Sequence, residues 1–327
     1  MSTTTLITGG AGFIGSHLAD RLVERGDRLI LLDDLSTGSL DNIRHLLGSE
    51  QVQFIEGSIQ DAGLVAQLMA RADRVVHLAA AVGVRLIVEK PLHSLIVNTQ
   101  GTENVLRAAA AQDKVALIAS TSEVYGKNPN GPLAEDAESI LGPLDQMRWL
   151  YAATKMIDEY FARAWRQAAG LRVVTVRFFN IAGPRQTGRY GMVLPRFVGA
   201  AMRNEPITVF GDGTQSRCFC HVYDAVNAVA RLLETTEAYG ESINIGATDE
   251  ITIKELAERV IEVLGSSSEI VYLPYDQVFG VGIEDIHRRV PDTGKLRALT
   301  GFEPQHSLED IIRDVAQFLG GTSHNAK

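Results

Sequence analysis

Residues 4–34, TTLITGGAGFIGSHLADRLVERGDRLILLDD, constrain this chain more than any other stretch. Thr5, Leu6 and Ile7 form a short apolar strand that runs directly into Gly9, Gly12 and Gly15. Leu18, Leu22 and Val23 then recur at helical spacing until Gly26, and a second apolar run, Leu29 to Leu32, ends in Asp33 and Asp34. Strand, glycine turn, helix and strand within about thirty residues is the size of one βαβ unit. The glycines let the backbone turn tightly and come close to a ligand, and the helix that follows offers free N–H groups to an anion.

An acidic pair at the end of the second strand is placed to accept hydrogen bonds from the hydroxyls of an adenosine ribose. It disfavours a 2′-phosphate, so the expected cofactor is NAD. The expected cofactor set adds Phe13 and Ile14 at the helix start, Ser36 and Gly38 after the acidic pair, and Ser58 and Ile59 after a third strand, 52–55. A fourth strand over 74–80 ends in the small residues of Leu78-Ala79-Ala80, which suit close passage of the cofactor. Asn98, on an alanine-rich helix at 94–111, completes the set with Ser120. A fifth strand (115–119), a helix near 149–168 and a sixth strand (172–178) continue the alternation. That pattern predicts an α/β fold with a doubly wound parallel sheet.

Length and charge set outer bounds. A chain of 327 residues can form one large or two modest domains. Its net charge of −9 argues against nucleic acid or an anionic membrane as partner, though not against an anionic small substrate. There is no apolar leader or membrane-length apolar run, so the cytoplasm is the expected compartment. Cys218 and Cys220 in RCFCHV are too few for structural zinc, and two apart on a strand they point the same way. Packing is their expected role, and no metal is expected. From Gly183 the texture becomes basic and irregular, with a return to the sheet over 219–245. The predicted division is 1–178 plus about 219–245 for the cofactor, and 179–218 plus 246–327 for a smaller, discontinuous α/β substrate domain.

Tyr151-Ala-Ala-Thr-Lys155 places a phenol and an ammonium four residues apart on one helix face. Such a lysine can lower the tyrosine pKa and anchor a ribose, so that the phenolate takes a proton while hydride leaves the same carbon. Thr121, at the end of the fifth strand, can share the substrate hydroxyl with Tyr151.

Together these motifs resemble the extended short-chain dehydrogenases/reductases that modify nucleotide sugars. ASTSEVYG, YAATK, RFFNIAGPRQ, VFGDGTQSRCFCHVYD and RRVPD stand in that family's order over nearly the whole chain. The resemblance implies a Rossmann cofactor domain and a homodimer formed by the 94–111 and 149–168 helices. It implies that Asn180, Val193, Leu194, Thr208 and Phe210 hold the nucleotide, and that Arg189, Arg217 and Arg289 grip diphosphate or sugar. Val82, Glu123 and Arg148 fall on the substrate side. Arginine suits this work because it offers paired N–H donors to oxyanions.

The implied reaction begins with oxidation at sugar C4: Tyr151 takes the hydroxyl proton while hydride passes to NAD. Beside Thr121 stand Ser122 and Glu123, where 4,6-dehydratases carry Asp-Glu, so dehydration is not expected. Thr-Ser-Glu, Arg148 before Tyr151, and Arg289 resemble UDP-glucuronate decarboxylases. On that resemblance Glu123 and Arg289 handle the carboxylate and the C5 chemistry, with UDP-4-keto-xylose or UDP-xylose as product. HLAAAVGV, GRYGMVLPRF and GDGTQSRCF instead resemble UDP-sugar 4-epimerases, including those for UDP-glucose, UDP-N-acetylglucosamine and UDP-glucuronate. Decarboxylation and 4-epimerisation both remain open, with a dTDP-linked sugar as a further substrate class. A non-catalytic NAD-binding scaffold is the alternative of a different kind.

Overall fold

The computed structural model describes residues 2–82, 89–188, 192–274, 277 and 286–324, the side chains of 322–324 excepted. Strands β1 (Thr4–Thr8), β2 (Arg28–Asp33), β3 (Val52–Glu56), β4 (Arg74–His77), β5 (Val115–Thr121) and β6 (Val173–Phe178) come first. The short strands β7 (Ile181–Ala182), β8 (Ile207–Phe210), β9 (Ser216–Cys218) and β10 (Cys220–His221) separate them from β11 (Ser242–Ile245). Seven strands make one parallel sheet in the order β3-β2-β1-β4-β5-β6-β11. The order reverses between β1 and β4, the place where doubly wound sheets open a crevice for ligands.

Alternation along β1 divides the core. Ile7 packs on one face with Leu18 and Leu22 of α1 (Phe13–Glu24). Leu6 packs on the other with Val65 and Leu68 of α2 (Ala62–Met69) and with Val105 and Leu106 of α3 (Pro91–Ala111). Ala162 of α4 (Leu150–Ala169) closes that second face. Each leucine, isoleucine or valine so buried contributes about 1.5–3 kcal/mol, and a sheet covered on both sides needs apolar residues at successive positions. Gly170, in the left-handed region at φ +69°, ends α4 by donating its N–H to Arg166 O.

A third core joins α5 (Val193–Met202), α7 (Ile253–Leu264) and α9 (Leu308–His324) through Leu194, Phe197, Leu256, Val260 and Ile311. The helix α6 (Val222–Leu232) belongs to the main sheet, on the α1 face. Strands β12 (Glu250–Thr252), β13 (Ile270–Leu273) and β14 (Arg288–Arg289) complete two small sheets, β12-β9-β14 and β13-β8. The short helix α8 (Gly294–Thr300) has no counterpart in the sequence reading.

Two local expectations are corrected. The fourth strand stops at His77 rather than Ala80: Leu78 N still donates to Thr8 O, but Ala79 N turns to Thr8 Oγ1 and Ala81 N to Asn98 Oδ1. The two cysteines do not share a strand, since the chain changes sheets at Phe219. Both are buried free thiols, and burial, ahead of Glu250 and Asp249, pushes the Cys218 thiol up to about 12. Among the described residues no helix is long and apolar enough to cross a membrane.

Candidate active site

The glycine turn is held by contacts that leave no room for side chains. A Cβ on Gly9, whose φ is +72°, would stand 2.8 Å from Ala79 N, and one on Gly15 would stand 2.0 Å from Gly9 O. α1 starts at Gly12 without a side-chain cap and without an acidic residue in its first turn. Its N-terminal N–H groups and positive dipole end therefore suit a diphosphate. Asp33 accepts from Ala11 N (2.9 Å) and Leu35 N (2.8 Å), so it braces the turn; a carboxylate has lone pairs left for ribose hydroxyls. Burial, opposed by those backbone bonds, raises its pKa. Asp34 is exposed and accepts from the Ser36 hydroxyl and N–H, while the backbone of Gly38 passes close to Asp33. These residues fit NAD.

Around the turn lie the other expected cofactor residues. Ser58 Oγ accepts from Gln60 N, and Ile59 is buried against Gly101 of α3. Asn98 is buried and engaged with the protein itself: it bonds Ala81 through both ends of its amide and donates to Thr154 Oγ1 at 3.3 Å. Ser120 donates to Glu159 Oε1 (2.6 Å). Both side chains are thus engaged with the protein itself.

Thr121 ends β5 and its hydroxyl accepts from Glu123 N at 3.3 Å, opening a single 3-10 turn, Ser122–Tyr125. That turn presents Glu123, which receives Arg148 Nη1 at 3.1 Å on one oxygen and faces Arg289 Nη1 at 3.8 Å on the other. Arg289 also donates to Ser122 Oγ (3.2 Å). Arg148 is buried, with its guanidinium carbon 5.1 Å from the centre of the Trp149 ring. Tyr151 follows in the first turn of α4 and is half-buried. Arg148, 25 positions along the chain, and Arg289, much farther on, thus meet around the Glu123 carboxylate.

Lys155 departs from expectation. Its Nζ donates to Asp158 Oδ2 at 2.9 Å inside α4, and both side chains are buried. Burial, then Glu123 and Asp158, push the Tyr151 phenol well above the ordinary tyrosine range. Asp158 is the residue the sequence reading missed, although its position three after Lys155 was a visible signal.

On the far wall, Arg217 of β9 and Arg289 of β14 are register partners in adjacent parallel strands, which sets the two arginines side by side. Arg217 is buried and donates to Ser216 O at 2.7 Å. Asn180, at φ +40°, donates to Cys218 O (3.0 Å) and so ties the end of β6 to β9. Arg196 lies over the Phe210 ring at 3.9 Å and donates to Thr208 O. Val193 opens α5, while the side chain of Leu194 is spent in the third core. Val82 is half-buried, and Arg189 falls outside the described residues.

The model of the NAD dependent epimerase/dehydratase family matches residues 5–246. The chain belongs to that family. Epimerase/dehydratase enzymes are NAD-dependent, in keeping with the glycine turn, the uncapped α1 and Asp33 described above. One relative, the UDP-N-acetyl-alpha-D-glucosaminuronate decarboxylase of Bacillus cytotoxicus, is 40% identical over 98% of both chains. Another, UDP-glucuronic acid decarboxylase 1 of Danio rerio, is 34% identical over 96% of this chain and 72% of its own length. Among solved structures, the UDP-glucuronic acid 4-epimerase of Bacillus cereus, in complex with UDP-glucuronic acid and NAD, superimposes with a TM-score of 0.87. It shares 28% identity and the match covers 98% of this chain and 99% of that one.

Proposed function

We propose that this epimerase/dehydratase family member decarboxylates a UDP-linked hexuronic acid. The observation that carries the reading is Glu123 set between Arg148 and Arg289 immediately beside Tyr151. Oxidation at C4 turns a uronic acid into a β-keto acid; the bond to the carboxylate then breaks, CO2 leaves, and its electron pair stays on C5 until a proton arrives. Bound NAD supplies the hydride acceptor and later the donor. Tyr151 takes the C4 hydroxyl proton, Thr121 shares that hydroxyl, and Lys155 holds the nicotinamide ribose. Arg289 orients the carboxylate by paired N–H donors, and Glu123 takes a proton from water and passes it to C5, ending again as a carboxylate. Arg217, with Asn180, Thr208 and Phe210, holds the UDP.

UDP-glucuronic acid is the substrate, yielding UDP-4-keto-xylose or UDP-xylose. The 40% identity to a decarboxylase of the 2-acetamido acid supports a second reading, in which UDP-N-acetylglucosaminuronate is taken instead. Incubating the enzyme and NAD separately with each acid tests both by mass spectrometry. Loss of CO2 is the expected result, and the faster acid names the substrate. Unchanged mass with a new galacto signal by proton NMR would replace the reading with 4-epimerisation.

The working form in this reading is a cytoplasmic homodimer. Leu92 and Ile96 of α3 and Ile157 and Tyr160 of α4 stay exposed at 67%, 37%, 39% and 68%, which supports pairing of these helices across a two-fold axis. The two free buried thiols fit a reducing compartment. Sedimentation at micromolar concentration should give a species near twice 35.5 kDa; a single 35.5 kDa species would remove the dimer.

A further inference from the structure

The lysine expected to work with Tyr151 is bonded to Asp158, next to a row of buried polar groups that begins in the sheet. Thr8 Oγ1, at the end of β1, accepts from Ala79 N and lies 2.7 Å from His77 Nδ1. With the threonine proton on that nitrogen's lone pair, the ring carries its own proton on Nε2, which stands 3.0 Å from Thr102 Oγ1 of α3. The Thr102 hydroxyl lies near the Asp158 carboxylate, whose Oδ2 receives Lys155 Nζ and whose Oδ1 has no hydrogen-bond partner among the described residues. Thr8, His77, Thr102, Lys155 and Asp158 are all buried.

Burial and the Lys155 charge depress the His77 pKa to about 3, so the ring stays neutral and acts only as a hydrogen-bonding strut. Burial pushes the Asp158 carboxyl up, against the pull of Lys155 and Thr102. The other charged groups at hand are accounted for. Glu159 is closed by Arg177 and Ser120, and Glu123 is engaged by Arg148 and Arg289.

We propose that Asp158 is a positioning residue that fixes the Lys155 ammonium and, by offsetting its charge, keeps Tyr151 protonated in the resting enzyme. The buried row Thr8, His77 and Thr102 ends beside Asp158, so the lysine is set close to the floor of the glycine turn, and its own bond to Asp158 is what orients the pair. An ammonium carries three N–H donors; Asp158 takes one and leaves two for a cofactor hydroxyl and the phenolate. A carboxylate that offsets the lysine makes ionisation of Tyr151 depend on the positive charge that arrives with the oxidised cofactor. The role assigned to the lysine rests on the function proposed above.

The test is the substitution Asp158→Asn in the full-length enzyme saturated with NAD, whose positive charge brings the phenol into reach, read by the ultraviolet absorbance of tyrosinate as pH rises. The Tyr151 share is isolated by subtracting the same titration of a Tyr151→Phe variant in each background. With the carboxylate gone, the Lys155 charge acts undiminished on the phenol, so Tyr151 should ionise roughly one pH unit lower or more. Superimposed wild-type and Asp158→Asn titrations would overturn the proposal. In turnover, the acid limb of the kcat/KM profile should move down in pH with KM for the UDP-sugar changed less than about threefold. An unmoved profile with a loss confined to KM would mark Asp158 as merely structural. Should Asp158→Asn not fold, Asp158→Ser carries the same two expectations. The absorbance arm needs no substrate, so its outcome stands apart from whether the enzyme is a decarboxylase.

Discussion

Two glutamates on either side of the candidate active site are both held by arginine, and they are held differently. Glu159 is closed on all sides: Arg177 grips it with two parallel bonds of 2.8 and 2.7 Å, and Ser120 adds a third at 2.6 Å. Arg177 is itself used up by the Tyr125 hydroxyl and Glu135 O, and Tyr125 by Asn244. Burial drives the Glu159 carboxyl up, yet Arg177 and Ser120 outweigh it and leave the pKa lowered. Glu123 instead takes one bond from Arg148 at 3.1 Å, while Arg289 stands 3.8 Å away with Ser122 as its nearer partner. A fork-on-carboxylate pair with every donor satisfied is a fixture of the fold. A carboxylate with one arginine at arm's length can exchange partners with a substrate. The difference separates an ion pair that holds β5, β6 and α4 together from one placed to do chemistry.

Removing the closed pair's carboxylate should have the largest effect. Glu159→Ala leaves Arg177 buried without its partner and should cost about 3–5 kcal/mol of stability, measured by urea unfolding. Glu123→Gln should do the opposite: turnover of the UDP-uronate falls roughly 100-fold, while the urea midpoint barely moves. A variant that unfolds easily and keeps its rate would break the comparison. Arg289→Lys keeps the charge but loses the paired donors, so KM for the acid should rise about tenfold with stability unchanged. The smallest effect lies in pH. Glu159 has a folded pKa below its unfolded value, so its stabilisation is present above the ordinary carboxylate range and is lost as pH falls through the folded pKa. An acid titration of Glu159→Gln should therefore show a shallower loss of stability over that window than wild type.

The same contrast explains what the sequence could reveal. The cofactor half was legible because its determinants are local. The spacing Gly9, Gly12, Gly15 and the run ending at Asp33 lie within one βαβ unit, and the apolar alternation along β1 and β2 follows from the sheet's two faces. Tyr151 and Lys155 were legible for the same reason, being one helical turn apart. The substrate half could be named only through resemblance to a family and not from local spacing, since it depends on partners brought from far along the chain. Arg289 reaches Ser122 across 167 residues from a strand of two residues, too short to show a period. α8, seven residues long, left no pattern either. Rotamer choice was also out of reach: nothing in the spacing YAATKMIDEY decides whether Lys155 faces Tyr151 or Asp158, because both lie within one turn of it. Only the buried carboxylate beside it decides that.

The most direct test of the account is turnover of the UDP-uronate in heavy water, comparing wild type with Glu123→Gln by proton NMR at C5 of the product. With Glu123 as the proton donor, wild type should release CO2 and place one deuterium at C5 in a single configuration. Glu123→Gln should lose that configurational control along with most of its rate. If wild type instead returns the intact uronate in the galacto form with no deuterium at C5, Glu123 and its two arginines only bind the acid, and the reaction is an epimerisation.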